Sequence, residues 1–447
     1  MSVLHLLLAL SVALAVAPAS RAEVFRPETF TLSNGREVVV VTNRRAPIVT
    51  HMVWYRAGAA DEVQGTSGIA HFLEHLMFKG THTLAPGEFS RTVALNGGRD
   101  NAFTSWDYTG YVQTVARDRL ELVMRMEADR MVNLVLSDAV VDPERAVILE
   151  ERRQVTDNNP SSRLREQLNA AMFLNHPYGR PIIGWAHEIA SLSRADAEAW
   201  YRKWYAPNNA VLIVAGDIDV GELRPLAEKH YGPVASRAVE RRVRPSEPPP
   251  QAARRVTLRD ERVRQPSWSR SWLAPSLGPG GGGTESKHAY PLQVAADVIG
   301  GETGRLYRSL VVERKLAVAA GASYDPDSHD RTTFLVYASP QQGVSLETLE
   351  RAVEEEIAGL LKDGVSASDV ERAKTRLGAE AVLARDSLGT APRVIGAALM
   401  AGIPLAEVEA WPDRIAAVEA DAVNAALRAT LRDEASVTGL LLPTEKP

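Results

Sequence analysis

Arg237-Ala238-Val239-Glu240-Arg241-Arg242-Val243-Arg244-Pro245-Ser246-Glu247-Pro248-Pro249-Pro250-Gln251-Ala252-Ala253-Arg254-Arg255 interrupts an otherwise periodic sequence. Charge and proline dominate it and apolar periodicity stops, the composition of an extended linker. It divides the chain into halves of similar size, 24–236 and 256–447. The first opens with Thr29-Phe30-Thr31-Leu32, an Asn34-Gly35 turn and Glu37-Val38-Val39-Val40-Val41, a hairpin signal. Ile48 to Tyr55 adds a strand. In the second half, Val256-Thr257-Leu258 and Pro266 to Leu273 read alike. Each half closes with a helical pattern and a buried strand: Ile189 to Tyr205 then Val211 to Gly216, and Ile415 to Leu431 then Val437 to Leu442, offset by about 226 residues. Strands and helices mix without a steady βαβ rhythm, so the expected class is α+β, with one sheet plus helices per half. Two unrelated α+β domains could share this much, and the pattern alone leaves that open.

Composition bounds the chemistry. The chain has 447 residues, net charge -5 and no cysteine. A mildly acidic chain does not suit general nucleic-acid binding. Without cysteine there are no disulfides, Fe–S clusters or thiol nucleophile, and any metal must be held by His, Asp or Glu. Leu6 through Ala17 is an apolar run too short to span a bilayer, followed by Pro18 and Ser20-Arg21-Ala22. It reads as a signal peptide, residues 1–22, cleaved after Ala22, with export to the periplasm. Its n-region carries no Lys or Arg, and a buried N-terminal helix is the alternative, though nothing amphipathic marks a face. No later run approaches membrane-spanning length.

One short stretch carries most of the chemistry: Gly68-Ile69-Ala70-His71-Phe72-Leu73-Glu74-His75-Leu76-Met77-Phe78-Lys79-Gly80. Ile69, Phe72, Leu73, Leu76 and Met77 are spaced helically. His71 and His75, at i and i+4, project from one face and can take two corners of a zinc tetrahedron. Glu74, on the same face, can accept the proton of a water that zinc activates and return it to a leaving amine. His-x-x-Glu-His inverts the commoner zincin order. On the pentapeptide alone, two hydrogen-bonded histidines and a solvated glutamate fit equally well. A third ligand would come from the segment Asp142 to Arg152, where Asp142 can cap a helix with Pro143 in its first turn. There Glu144 and Glu151 share a face and Glu150 points elsewhere. An exposed charged helix is the plainer reading of these acids.

The sequence resembles the pitrilysin family of inverted zincins, which includes insulin-degrading enzyme and mitochondrial processing peptidase. The resemblance runs over essentially the whole chain after residue 22, and the shorter two-domain bacterial members match best in length. Beyond the pentapeptide it rests on Gly58-Ala59 and Gly68, on Gly97-Gly98 with Asn101-Ala102-Phe103-Thr104, and on Glu144 through Glu151. His176-Pro177-Tyr178-Gly179, Trp204 through Ala210 and Gly216-Asp217 complete it. It implies two homologous α+β domains, each a mostly antiparallel sheet packed against helices. The first would be a zinc-binding peptidase domain and the second would lack the zinc motif.

It further implies one Zn2+ per chain on His71, His75 and Glu151, with Glu74 as general base. Glu144 would support the metal site, and Asn101 and Ala102 would lie on a strand that pairs with the substrate backbone. The family's second half normally carries an Arg and a Tyr, seven positions apart, that reach the active site. The matching positions here are Val311 and Val318, and neither side chain can donate a hydrogen bond. Tyr307, Arg308, Arg314 and Tyr324 lie close in sequence but face other directions. The resemblance therefore implies a zinc endopeptidase for unfolded peptides or small proteins, acting as the zinc-bearing subunit of a heterodimer whose homologous partner supplies Arg and Tyr; the alternative is that Tyr307, Arg308 or another side chain of this same chain substitutes for them. The rival within the family is a non-catalytic scaffold subunit. Gly278-Pro279-Gly280-Gly281-Gly282-Gly283 is followed by no Gly-Lys-Ser/Thr, so it reads as a flexible loop rather than a phosphate loop.

Overall fold

The computed structural model describes residues 24–444 except Glu302. The signal-peptide segment 1–22 lies outside the described residues. Among the described residues eleven strands form two sheets. In the first half these are β1 (Glu28–Thr31), β2 (Glu37–Thr42), β3 (Ile48–Tyr55), β4 (Arg99–Thr104), β5 (Thr109–Ala116) and β6 (Ala210–Gly216). In the second they are β7 (Arg254–Asp260), β8 (Ser267–Ala274), β9 (Ala317–Tyr324), β10 (Thr332–Pro340) and β11 (Ser436–Pro443). The six-stranded sheet has the order β1-β2-β6-β3-β5-β4 and the five-stranded sheet β7-β11-β8-β10-β9. Removing β1 makes the two orders correspond strand for strand. In each, one pair is parallel, β2 with β6 and β7 with β11, and the rest are antiparallel. The helices Arg194–Trp204 and Ala420–Thr430, both 11 residues long, precede the equivalent strands β6 and β11. The repeat left open by pattern alone is thus a repeat of topology.

The Asn34-Gly35 hairpin forms as read, with Phe30 opposite Val38 and Gly35 at φ +82°. Two readings differ. The pattern Ile415 to Leu431 is two helices, Leu405–Ala416 and Ala420–Thr430. The helix expected to start at Asp142 starts at Asp138, capped by Ser137 in extended conformation. Val141 is fully buried, so packing holds the turn before Pro143 helical. Pro143 removes only its own amide donor to Ala139.

Both faces of the first sheet are apolar, which explains its unbroken valine run. Val38, Val40, Val49, Val53, Leu212 and Val214 point into one core with the helices of the first half. Val39, Val41, Met52, Trp54, Val211 and Ile213 point the other way and pack on Ala391, Ile395, Ala398 and Met400 of the helix Thr390–Met400. That helix belongs to the second half. Reciprocally, the helix Pro160–Met172 of the first half lies against β7 and β11, with Leu164 and Leu168 against Val256, Val263 and Leu441. Each half lends a helix to the back of the other's sheet. The approach is close enough that a Cβ on Gly396 would sit 2.1 Å from the Trp54 ring, and one on Gly439 would sit 2.6 Å from Leu168.

No helix or strand lies between His230 and Arg254. Within that stretch Arg244 is ion-paired to Asp61 (3.0 Å), Asp330 (3.1 Å) and Asp107. Asp107 in turn accepts from Tyr178 (2.6 Å), and Asp330 lies 3.1 Å from His176. The glycine run 278–283, expected to be flexible, is packed against this seam. A Cβ on Gly278 would meet the Ser328 carbonyl at 2.2 Å, and one on Gly280 would meet the Asp330 carboxylate at 1.8 Å.

Gly396→Ala should therefore destabilise the protein, although alanine is the better helix former by about 1 kcal/mol. The clash with a buried ring typically costs about 1–3 kcal/mol. Gly378→Ala, in the helix Ala367–Ala384 with nothing within 4 Å of the new Cβ, should be neutral or stabilising. Urea unfolding of the two variants checks the contrast.

Candidate metal centre

The zinc-motif helix, Ile69–Leu76, is eight residues long and carries His71, Glu74 and His75. Its apolar residues Ile69, Phe72, Leu73 and Leu76 are buried in the first core, which fixes its rotation. Its start is pinned from outside. Gly68 caps it at φ +90°, where a Cβ would meet the Ile183 carbonyl at 2.6 Å. The buried Glu62 carboxylate accepts from the amides of Gly68 (3.1 Å) and Ala70 (3.0 Å), an acid at the positive end of the helix. Burial nevertheless pushes Glu62 up to about 8.

The helix Asp138–Arg152 brings Glu144 and Glu151 alongside. His71 Nε2 lies 3.7 Å and His75 Nε2 3.4 Å from the Glu151 carboxylate. One donor atom from each of the three residues lies within 4.8 Å of the others. A tetrahedral ion with bonds of roughly 2.0–2.1 Å needs donor atoms about 3.4 Å apart, so the set fits zinc with little adjustment. Two nitrogens and one carboxylate also leave one tetrahedral position for solvent or substrate. Glu151 is partly exposed, so that side is open.

The electrostatics agree with a cation site. Burial, then the charge of His75, pushes His71 down to about 4, so its ring is neutral at pH 7, as a ligand requires. Burial opposes charge on His75 too, but the hydrogen bonds it donates to Glu144 and Glu151 outweigh it and raise the ring to about 9. The field there favours positive charge. Glu144 accepts from His75 Nδ1 at 2.9 Å and pairs with Lys79. It thereby orients the ring so that Nε2 faces Glu151, the role of an acid behind a ligand histidine. Burial would raise Glu144, yet the bonds from His75 and Lys79 hold it below the usual carboxylate range. Glu151 is likewise held low, chiefly by its bond to His75. Glu150 turns outward to Gln154 and Arg153.

Glu74 is 7% exposed, and burial pushes its carboxyl up to about 7. One oxygen accepts from Thr104 Oγ1 at 2.6 Å. Thr104 ends β4, the free edge of the six-stranded sheet, which also carries Asn101 and Ala102. These two residues join Glu74, His75, Phe78 and Glu144 around one cavity of about 280 Å³. Sequence reading missed the roles of Thr104, Lys79 and Glu62. Lys79 stands at i+4 from His75, a spacing that would have found it. Glu62 and Thr104 reach the helix from other elements and leave no local signal.

Val311 and Val318 fall in the second half as the sequence placed them. Val311 packs against the second core, and Val318 is 48% exposed on β9. Nearby donors are engaged elsewhere: Arg308 with Glu313 (3.4 Å), Arg314 with Glu355 (3.0 Å) and the Tyr324 hydroxyl with the Pro275 carbonyl (2.6 Å).

Residues 37–185 match the profile described as insulinase (peptidase family M16), and residues 191–377 match that of the peptidase M16 inactive domain. An uncharacterised zinc protease of Mycobacterium leprae is 30% identical over 354 residues, 78% of this chain and 76% of the relative. The chain belongs to peptidase family M16. Zinc protease PqqE of Helicobacter pylori is 29% identical over 352 residues, 78% of this chain and 77% of that protein. A Helicobacter pylori protease of known structure superposes with a TM-score of 0.86 at 26% identity, covering 94% of this chain and 99% of the other. The periplasmic protease PqqL of Escherichia coli shares the M16 fold at TM-score 0.79 and 21% identity, covering 93% of this chain but 47% of its own. The pitrilysin resemblance read from separated motifs therefore holds for the family and for its two-domain architecture.

Purified protein should retain about one zinc per chain by elemental analysis, as three protein ligands imply. His71→Ala and Glu151→Ala should abolish retention. Glu144→Ala should weaken it about 10- to 100-fold, the usual cost of losing the partner behind a ligand histidine. Glu150→Ala should leave it unchanged.

Proposed function

We propose that the chain is the zinc-bearing subunit of a metalloendopeptidase that cleaves unfolded peptides or small proteins after export to the periplasm. The observation that carries this reading is the meeting of His71, His75 and Glu151 beside a buried Glu74, next to the free edge of β4. Zinc held by the three ligands would supply Lewis acidity, polarising the scissile carbonyl and making water more acidic. Glu74 removes the proton of the attacking water and delivers it to the leaving amine. Thr104 holds the Glu74 carboxylate in place. The peptide adds as a strand along β4 at Asn101 and Ala102, through main-chain hydrogen bonds that demand little of its sequence. Residues 24–236 form the zinc domain, 237–255 the linker and 256–447 the second domain in this reading.

The second domain supports pairing. With valine at 311 and 318, and with Arg308, Arg314 and Tyr324 already engaged, the two positions where the family carries donors supply none to the developing oxyanion. A homologous partner carrying Arg and Tyr would provide them across a clamshell. The fold neighbour PqqL, about twice the length of this chain, is in keeping with two such units working together. Export rests on the apolar run Leu6 to Ala17 and the Ser20-Arg21-Ala22 that follows it. Among the described residues no single helix is long and apolar enough to cross a membrane.

The test is hydrolysis of an unfolded peptide by the chain alone and with its homologous partner. A lost oxyanion donor typically costs about 10²–10³ in turnover, so the pair should exceed the single chain by at least that factor, and the partner's Arg and Tyr should be required. Glu74→Gln should keep zinc and lose hydrolysis, and Thr104→Val should lower kcat with zinc content intact. Full activity of a verified monomer or homodimer would overturn the pairing with a different subunit. Near-normal turnover by Glu74→Gln would overturn the assignment of the base.

A further inference from the structure

A second cavity, of about 250 Å³, lies away from the zinc motif, among the helices Ala367–Ala384, Thr390–Met400 and Leu405–Ala416. The start of the described chain closes one wall. The amides of Phe25 and Arg26 donate to the Glu409 carboxylate at 3.1 and 3.2 Å, which anchors Phe25 in the cavity lining. Three aromatic side chains, Phe25, Tyr290 and Trp411, share the lining with aliphatic residues and with three carboxylates, Asp327, Glu380 and Glu407. Among the described residues no lysine, arginine or histidine lines the cavity.

The carboxylates are not equivalent. Glu407 is satisfied by the Tyr290 hydroxyl (3.1 Å) and by Arg414 (2.6 Å). Glu380 is exposed. Asp327 is partly buried, and among the described residues its carboxylate has no hydrogen-bond or ion-pair partner; only its amide is engaged, with Asp325. Burial, then the neighbouring Asp325 charge, pushes it up to about 7. An acid held partly out of water without a cation is unfavourable, and three aromatic residues, a type whose ring faces attract cations, line the cavity beside it. We propose that this cavity binds a small organic cation, a quaternary or protonated amine carrying an aryl or branched alkyl body. The charge sits against Asp327 and the aromatic rings, and the body fills the aliphatic remainder. A concave apolar space with a few convergent polar groups is the usual form of such sites. The inference does not depend on the peptidase reading, because none of these residues belongs to the zinc site.

The probe is benzyltrimethylammonium, titrated calorimetrically into the full chain at pH 8 beside the neutral near-isostere 2-methyl-1-phenylpropan-2-ol and the anion phenylacetate. Saturable 1:1 binding of the cation is expected, at least about tenfold tighter than the alcohol, as cation–π and charge contacts of this kind allow. Phenylacetate should not bind. Asp327→Asn and Trp411→Leu should each weaken the cation about tenfold while leaving zinc content unchanged, with melting curves confirming folded variants. Equal affinity for the alcohol, no saturable binding of the cation, or undiminished binding by folded Asp327→Asn would each overturn the proposal. The wild-type charge preference decides the matter even if a variant does not fold.

Discussion

The two-sided burial of the first sheet is the constraint from which the rest of the molecule follows. Alternate residues of β2, β3 and β6 face opposite ways, and both sets are apolar. A sheet with two apolar faces must be covered twice. The first half covers one face with its own helices, and the helix Thr390–Met400 covers the other. The second sheet receives Pro160–Met172 in return. Separating the halves would expose both back faces to water at once, at roughly 25 cal/mol for each Å² of apolar surface. The seam adds Arg244, whose guanidinium joins Asp61 and Asp107 of the first half to Asp330 of the second. Breaking one partner of such a buried network leaves the others uncompensated. The two halves of one chain are therefore packed as one body.

That rigidity serves the metal centre. The zinc-motif helix is too short to hold itself in water. It is fixed by its apolar face in the core, by Glu62 and Gly68 at its start, and by the helix Asp138–Arg152 alongside. Four carboxylates are thereby given different tasks by their surroundings. Glu151 stands at the open side, Glu144 behind His75, Glu74 in a drier position beside β4, and Glu62 under the helix terminus. Positions held to this degree are what metal and proton chemistry require of a scaffold.

Much of this was legible in the sequence because the signals were local. The i, i+4 histidines, the Asn34-Gly35 hairpin and the buried strand at Val211 to Gly216 each carry their own periodicity or turn chemistry. What the sequence concealed was the identity of neighbours. Val38-Val39-Val40-Val41 announces a strand covered on both faces, but nothing in it names a helix from the other half as the cover. The glycine run 278–283 has the composition of a flexible loop, and only the approach of Ser328 to Gly278 and of Asp330 to Gly280 makes those two glycines a packing requirement. Pro143 suggested a helix start, and buried Val141 overrode it. Thr104 and Glu62 act on the zinc-motif helix from outside it, so no spacing rule could pair them with Glu74 or Gly68.

The central claim is that one cation is held by His71, His75 and Glu151. Diffraction from zinc-loaded crystals recorded on both sides of the zinc absorption edge tests it most directly. The account predicts a single anomalous peak per chain, within about 2.0–2.2 Å of Nε2 of both histidines and of a Glu151 oxygen, with Glu144 bonded to the far nitrogen of His75 and not to the metal. A peak coordinated by Glu144 or Glu150 in place of Glu151, or no peak between the two histidines, would contradict it.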